Sequence, residues 1–400
     1  MYIPSDDVLK KYSDLLIKFA LGGGEGIKKG EVVVIAVPES AKAMVRFLRR
    51  AVLEAGGHAI FMNYFDDVGA REFYELASEE QLTFFADKYY RGIVDQADHT
   101  MRILSEADKY ELQGVDSKKL MTHSKAMKPY QDWRFEKEGE RKLTWTLASY
   151  GTELEAKDAG MSHEEYWSQI IKACYLDLDD PIAKWKEIFH EQERLKKTLN
   201  DMKIEKVHVK SENVDLWVQL GSTRQWLGGS GRNIPSFEVF TSPDWRGTNG
   251  RIKFNVPLFR YGNKVSDIDV TFKDGEVVSA SAYENEQLLK DMISVVNANK
   301  IGEFSLTDKR MSRIDRFMGQ TLYDENYGGE YGNTHVAFGM AYKDAYVGKV
   351  ASTPKEKWDE MGFNDSAVHT DVFSIEDRTV TAVLPDGSEK VIYEKGQFTV

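Results

Sequence analysis

Between residues 32 and 65 the chain spells a strand, a helix and a second strand, and this order constrains the fold more than any other feature. The run Val32-Val33-Val34-Ile35-Ala36-Val37 is apolar throughout, Pro38 closes it, and Ser40 follows as a candidate helix cap. Met44, Val45, Phe47, Leu48, Val52 and Leu53 then recur at helical spacing until Gly56-Gly57 ends the helix, and residues 58–65 resume an extended pattern. A strand without alternation is buried on both faces, and a strand–helix–strand unit joins parallel neighbours. The first half therefore reads as an α/β domain with a parallel, helix-covered sheet. The pattern predicts a helix over 71–90, a strand over 99–104 and helices over 163–175 and 181–200.

The texture changes near Lys206. Val207, Val209, Val214, Leu216, Val218 and Leu220 alternate with polar residues, the mark of antiparallel strands with one buried face. Asp274-Gly275 and Asp386-Gly387 sit between strand-like runs as hairpin turns, and a helix is expected over 284–297. The second half thus reads as an α+β domain. A chain of 400 residues with 42% apolar side chains suits two cores, and we place the division at 1–200 and 201–400.

Charge narrows the function. With 65 acidic against 53 basic residues the net charge is −12, which repels nucleic-acid backbones and anionic membranes. The first residues, MYIPSDDVLKKYSDLL, are acidic where a secretion signal is basic, and no apolar run approaches the roughly 18 residues of a membrane span. A cytoplasmic protein is expected, with no nucleic-acid or membrane partner. Its one cysteine, Cys174, rules out a thiolate cluster, so any metal site must be built from oxygen and imidazole donors. The glycine-rich stretch at 22–30 precedes a strand and lacks GK[ST], so it reads as a turn and not a phosphate loop.

Six of the eight histidines (His58, His99, His123, His163, His190 and His208) have no acidic or histidine neighbour at a site-building spacing. The other two differ. His335 opens a short apolar run, and His369 is followed at i+2 by Asp371, which an extended strand directs to the same side. That pair suits one ion, although a hydrogen-bonded surface pair has the same sequence. No HExxH is present, so the helix-borne zinc-protease site is excluded.

Five segments carry a family resemblance: NIPSFEVFT at 233–241, IGEF at 301–304, LYDEN at 322–326, HVAFGMAY at 335–342 and NDSAVHTD at 364–371. In order and spacing they resemble the metal motifs of the aminopeptidase T and aminopeptidase S family of metalloaminopeptidases. DQAD at 95–98, WTLASY at 145–150 and ACYLD at 173–177 extend the resemblance over most of the chain. It implies a homodimeric enzyme that removes N-terminal residues from peptides with free N-termini, using two divalent ions (Zn, Co, Mn or Mg). It also implies Glu238, Glu303, His335, His369 and Asp371 as ligands and Tyr342 as the catalytic phenol, with Glu303 bridging or shuttling a proton. The further ligand is Glu325 or Glu330. Ser236-Phe237 departs from the small or polar residues usual before the first glutamate, which places a bulky side chain beside the expected pocket.

The chemistry demands such a set. Hydrolysis at neutral pH needs an acidified water, and ion pairs about 3.5–4 Å apart need a bridging carboxylate and further anionic donors. Two other readings compete. An Fe(II) ring-cleaving dioxygenase of hydroxypyridines, similar in architecture, needs two histidines and one carboxylate; a binding protein on the parallel sheet would leave the C-terminal series without a role.

Overall fold

The computed structural model describes residues 2–64 and 69–400. Two compact units are present. One comprises Met1–Lys186, Ser230–Pro235 and Tyr261–Asn263, and the other Glu187–Gly229, Ser236–Arg260 and Lys264–Val400. The division falls inside the long helix Pro181–Asp201.

The first unit holds a parallel sheet in the order His58–Tyr64, Val32–Pro38, His99–Leu104, Thr144–Ser149, Asn233–Ile234. Val33, Val34, Ile35 and Val37 are buried, as the unbroken apolar run requires. Phe65, the last residue of the expected second strand, lies outside the described residues. The helix after the first strand begins differently from the expectation. A 3₁₀ stretch, Glu39–Met44, precedes the α-helix Val45–Glu54, and Pro38 rather than Ser40 stands at the cap.

The helix expected over 71–90 is three helices: Ala70–Leu76, Glu79–Thr83 and Asp87–Gln96. Ser78 explains one break, because its hydroxyl accepts from the Gln81 N–H while the Gln81 side chain accepts from the Ser78 N–H. Cys174 is fully buried, and burial pushes its thiol up to about 12.

The two large sheets of the second unit are antiparallel. The eight-stranded one runs Glu276–Ser281, Ile268–Lys273, Asn249–Phe254, Val214–Gln219, Lys206–Lys210, Thr379–Val383, Glu389–Glu394, Gln397–Phe398. Lys206–Lys210 and Val214–Gln219 alternate in burial as their sequences do. Asp274-Gly275 makes the two-residue turn between its first two strands, both residues at positive φ (50° and 85°). The other sheet has four strands, in the order His369–Ser374, Asn333–Gly339, Ile301–Thr307, Glu238–Thr241. Every residue of the last three is buried. This buried sheet nonetheless carries acids and histidines.

Candidate metal centre

Strand register gathers these polar residues on one face. Glu303 pairs with Ala337, which pairs on its other side with Asp371, so the two carboxylates flank a small side chain. Ser305 pairs with His335, and His335 with Phe373. His369 stands two residues before Asp371, and Glu238 begins the strand beyond Ile301–Thr307. A residue larger than Ala337 would fill the space that the charged groups share.

A register shift between Ile301 and Glu303 leaves Gly302 at a bulge. A Cβ at Gly302 would lie 2.3 Å from the Met340 carbonyl oxygen, so only glycine allows this approach. That carbonyl accepts the Nδ1–H of His369 at 2.8 Å, which turns His369 Nε2 toward the acids.

The ligand-type atoms form two groups that share one residue. Glu238, Glu303 and His335 converge in one, and Glu303, His369 and Asp371 in the other, each within 4.8 Å. Glu303 Oε1 lies 3.0 Å from His335 Nε2, and its Oε2 lies 3.8 Å from His369 Nε2. His335 Nε2 is also 3.3 Å from Glu238 Oε2, and His369 Nε2 is 3.3 Å from Asp371 Oδ1. One carboxylate therefore spans both imidazoles.

Crowded charge perturbs every partner around Glu303. Burial, followed by the charge of Glu303, pushes the Glu238 carboxyl up to about 7. Burial opposes protonation of His335, but its bond to Glu303 and the charges of Glu238, Glu303 and Asp371 prevail and raise it to about 9. His369 also reaches about 9, where burial is outweighed by Asp371 and then Glu303. Burial would raise Asp371, yet the charge of His369 holds it below the usual carboxylate range. Protons thus balance a pocket of three carboxylates, and divalent cations would balance the same donors by displacing those protons.

The donor set fits such ions. It offers oxygen and imidazole donors without thiolate, and the ring orientation of His369 is fixed from behind by a backbone carbonyl. His335 Nδ1 has no hydrogen-bond partner among the described residues, which leaves Nε2 as its one directed contact.

Tyr342 lies next to this face. Its ring packs 4.9 Å from His369 and 6.0 Å from Phe240, centroid to centroid, and its backbone N–H donates to Ser242 Oγ at 2.8 Å. Glu325 and Glu330 belong to neither group. The Glu325 side chain is buried and accepts from the Asn326 amide at 3.3 Å, whereas Glu330 is exposed. Phe237 is fully buried, and its N–H donates to Asn326 Oδ1. Ser305, which sequence reasoning did not single out, donates its hydroxyl to Glu238 Oε2 at 3.0 Å. Nothing in the sequence marks it apart from its place two residues after Glu303.

A largely buried cluster of acids and histidines on a sheet face, with donors that suit divalent cations, points to a metal-dependent enzyme. Residues 5–398 match the family described as thermophilic metalloprotease (M29), and the chain belongs to that family. Among its relatives, Aminopeptidase 2 of Geobacillus stearothermophilus is 28% identical, with 98% of this chain and 97% of that protein covered. Aminopeptidase AmpS of Bacillus subtilis (strain 168) is 27% identical, with 98% of each covered. The solved structure of wild-type AmpT from Thermus thermophilus superposes with a TM-score of 0.82 at 25% identity, covering 98% of this chain and 99% of that one. These relatives are named as aminopeptidases, which gives the ring-cleaving dioxygenase reading no support.

Proposed function

We propose that this protein is an aminopeptidase that hydrolyses the first peptide bond of chains with free N-termini, with two divalent ions held by Glu238, Glu303, His335, His369 and Asp371. The observation that carries the reading is Glu303, whose two oxygens reach toward two different imidazoles. When bound, the ions supply an acidified water and a positive field at the scissile carbonyl. Glu303 would either hold the two halves of the site together or accept a proton in the hydrolysis. The Tyr342 phenol donates to the oxygen of the tetrahedral intermediate, an interaction made mainly in the transition state. Its ring contact with His369 supports that role.

Selection for chain ends follows from charge. An acidic pocket receives a basic α-amine, whereas an acetylated end carries no charge and its nitrogen lone pair is delocalised into the amide. Among the described residues no helix is long and apolar enough to cross a membrane. A cytoplasmic homodimer completes the reading. Paired peptides, one free and one acetylated, provide the test. We expect metal-dependent loss of single residues from the free peptide alone, and comparable cleavage of both would make the protein an endopeptidase.

A further inference from the structure

Glu238 is held more tightly than its role as one ligand among five requires. Its carbonyl accepts from Gln192 Nε2 at 3.0 Å, and the same amide reaches the Ser236 carbonyl at 3.3 Å. The preceding N–H, that of Phe237, donates to Asn326 Oδ1 at 2.6 Å. Gln192 and Asn326 are both fully buried, so two side chains remote in sequence fix this backbone. The carboxylate remains free to turn, because the terminal torsion of glutamate is broad.

We propose that Ser305 removes this last freedom and is a positioning residue for Glu238: its hydroxyl holds one carboxylate oxygen and so fixes how the carboxylate faces a divalent ion. The proposal rests on the metal-site reading above. Ser305 is fully buried, and its Oγ lies 3.0 Å from Glu238 Oε2. Its register partners are His335 on one side and Phe240 on the other, which places it between the strands that carry the two ligands. An ionised carboxylate only accepts hydrogen bonds, so the serine proton must point at Oε2. Oε2 also faces His335 Nε2 at 3.3 Å. The hydroxyl therefore orients the carboxylate and offsets part of its charge where the next ligand approaches. Second-layer bonds of this kind tune metal affinity more than fold stability.

The test is a calorimetric titration of chelator-stripped protein with Zn²⁺ alone, at constant pH. For Ser305→Ala we expect one binding event to weaken by about 10- to 100-fold while the metal-free melting temperature stays near that of the wild type. Ser305→Thr, which keeps the hydroxyl, should retain wild-type affinity. In a Glu238→Gln background, adding Ser305→Ala should cause no further loss, because the serine acts through that carboxylate. If Ser305→Ala does not fold, the isosteric pair Ser305→Thr and Ser305→Val carries the same comparison, with Val the weaker binder. Equal affinity of Ser305→Ala and wild type overturns the proposal, and so does an undiminished loss in the Glu238→Gln background. Wild-type protein that binds no Zn²⁺ overturns the metal-site reading as well, so failure of the site and failure of Ser305 give different results.

Discussion

Glu155 and Glu238 are both buried carboxylates, and in each burial is the largest cause of a pKa raised to about 7. Their surroundings differ. Glu155 closes a capping box at the start of helix Glu153–Asp158, accepting the Thr152 N–H at 2.8 Å, and its other oxygen has no hydrogen-bond partner among the described residues. One retained proton removes its charge. Glu238 faces Glu303, His335 and Asp371, so protonating one acid leaves others charged in the same pocket. A raised pKa alone therefore does not mark a site. Convergence of several carboxylates with two imidazoles marks it, and this separates the two regions.

The largest effect should come from Glu303→Ala. That change removes the carboxylate shared by both groups, so metal content and rate should fall together, and added metal should restore part of the rate. Full metal content in the variant would remove Glu303 from the site. Tyr342→Phe comes next. It keeps the ring against His369 and loses one hydroxyl, so metal binding should persist while kcat falls by roughly a hundred- to a thousandfold with KM little changed. A near-normal kcat on a free-amine peptide would deny the phenol its role.

Glu155→Gln should act on stability and not on chemistry. The folded carboxyl titrates near 7, above its ordinary 4.5, so the unfolded chain loses its proton first as pH rises. Stability accordingly falls between about pH 4.5 and 7, and the full penalty of about 3 kcal/mol persists above that range. Glutamine keeps an acceptor for Thr152 and escapes the penalty. Denaturant unfolding should find the variant more stable than wild type at pH 8 and equal to it at pH 4; the same difference at both pH values would refute the buried-acid account.

The smallest effect is expected at Glu54. Lys18 and Arg50 hold this exposed carboxylate down at about 2, yet solvent screens the interaction. Glu54→Gln should melt within the scatter of repeat measurements, and a clear drop would mean that exposed pairs matter here as buried ones do.

Local pattern made part of this architecture legible. The run at Val32–Pro38, the alternation after Lys206 and the Asp274-Gly275 turn each follow from the residues within one element. Strand Thr144–Ser149 and helices Ser117–Ala126 and Lys128–Gly139 were missed: the helices are charged and weakly periodic, the strand is short and uncharged, and each gains order from its neighbours. Histidines show the same limit. His99 had no acid at a site-building spacing in sequence, but parallel pairing brings Thr144 to 2.7 Å and tertiary folding brings Glu31 to 2.8 Å. Within the metal centre, His369 and Asp371 could be placed on one face from their spacing alone. That Glu303 lies across Ala337 from Asp371 depends on register between distant strands, which no local pattern encodes.

The central claim is that the face shared by Glu238, Glu303, His335, His369 and Asp371 holds two divalent ions. Titrating chelator-stripped protein with Mn²⁺ while counting bound ions and following hydrolysis of a free-amine peptide tests it directly. The account predicts two ions per chain, with activity rising as the second site fills and both ions held more weakly in Glu303→Ala. Full activity at one ion per chain, or two ions bound equally well by Glu303→Ala, would contradict it.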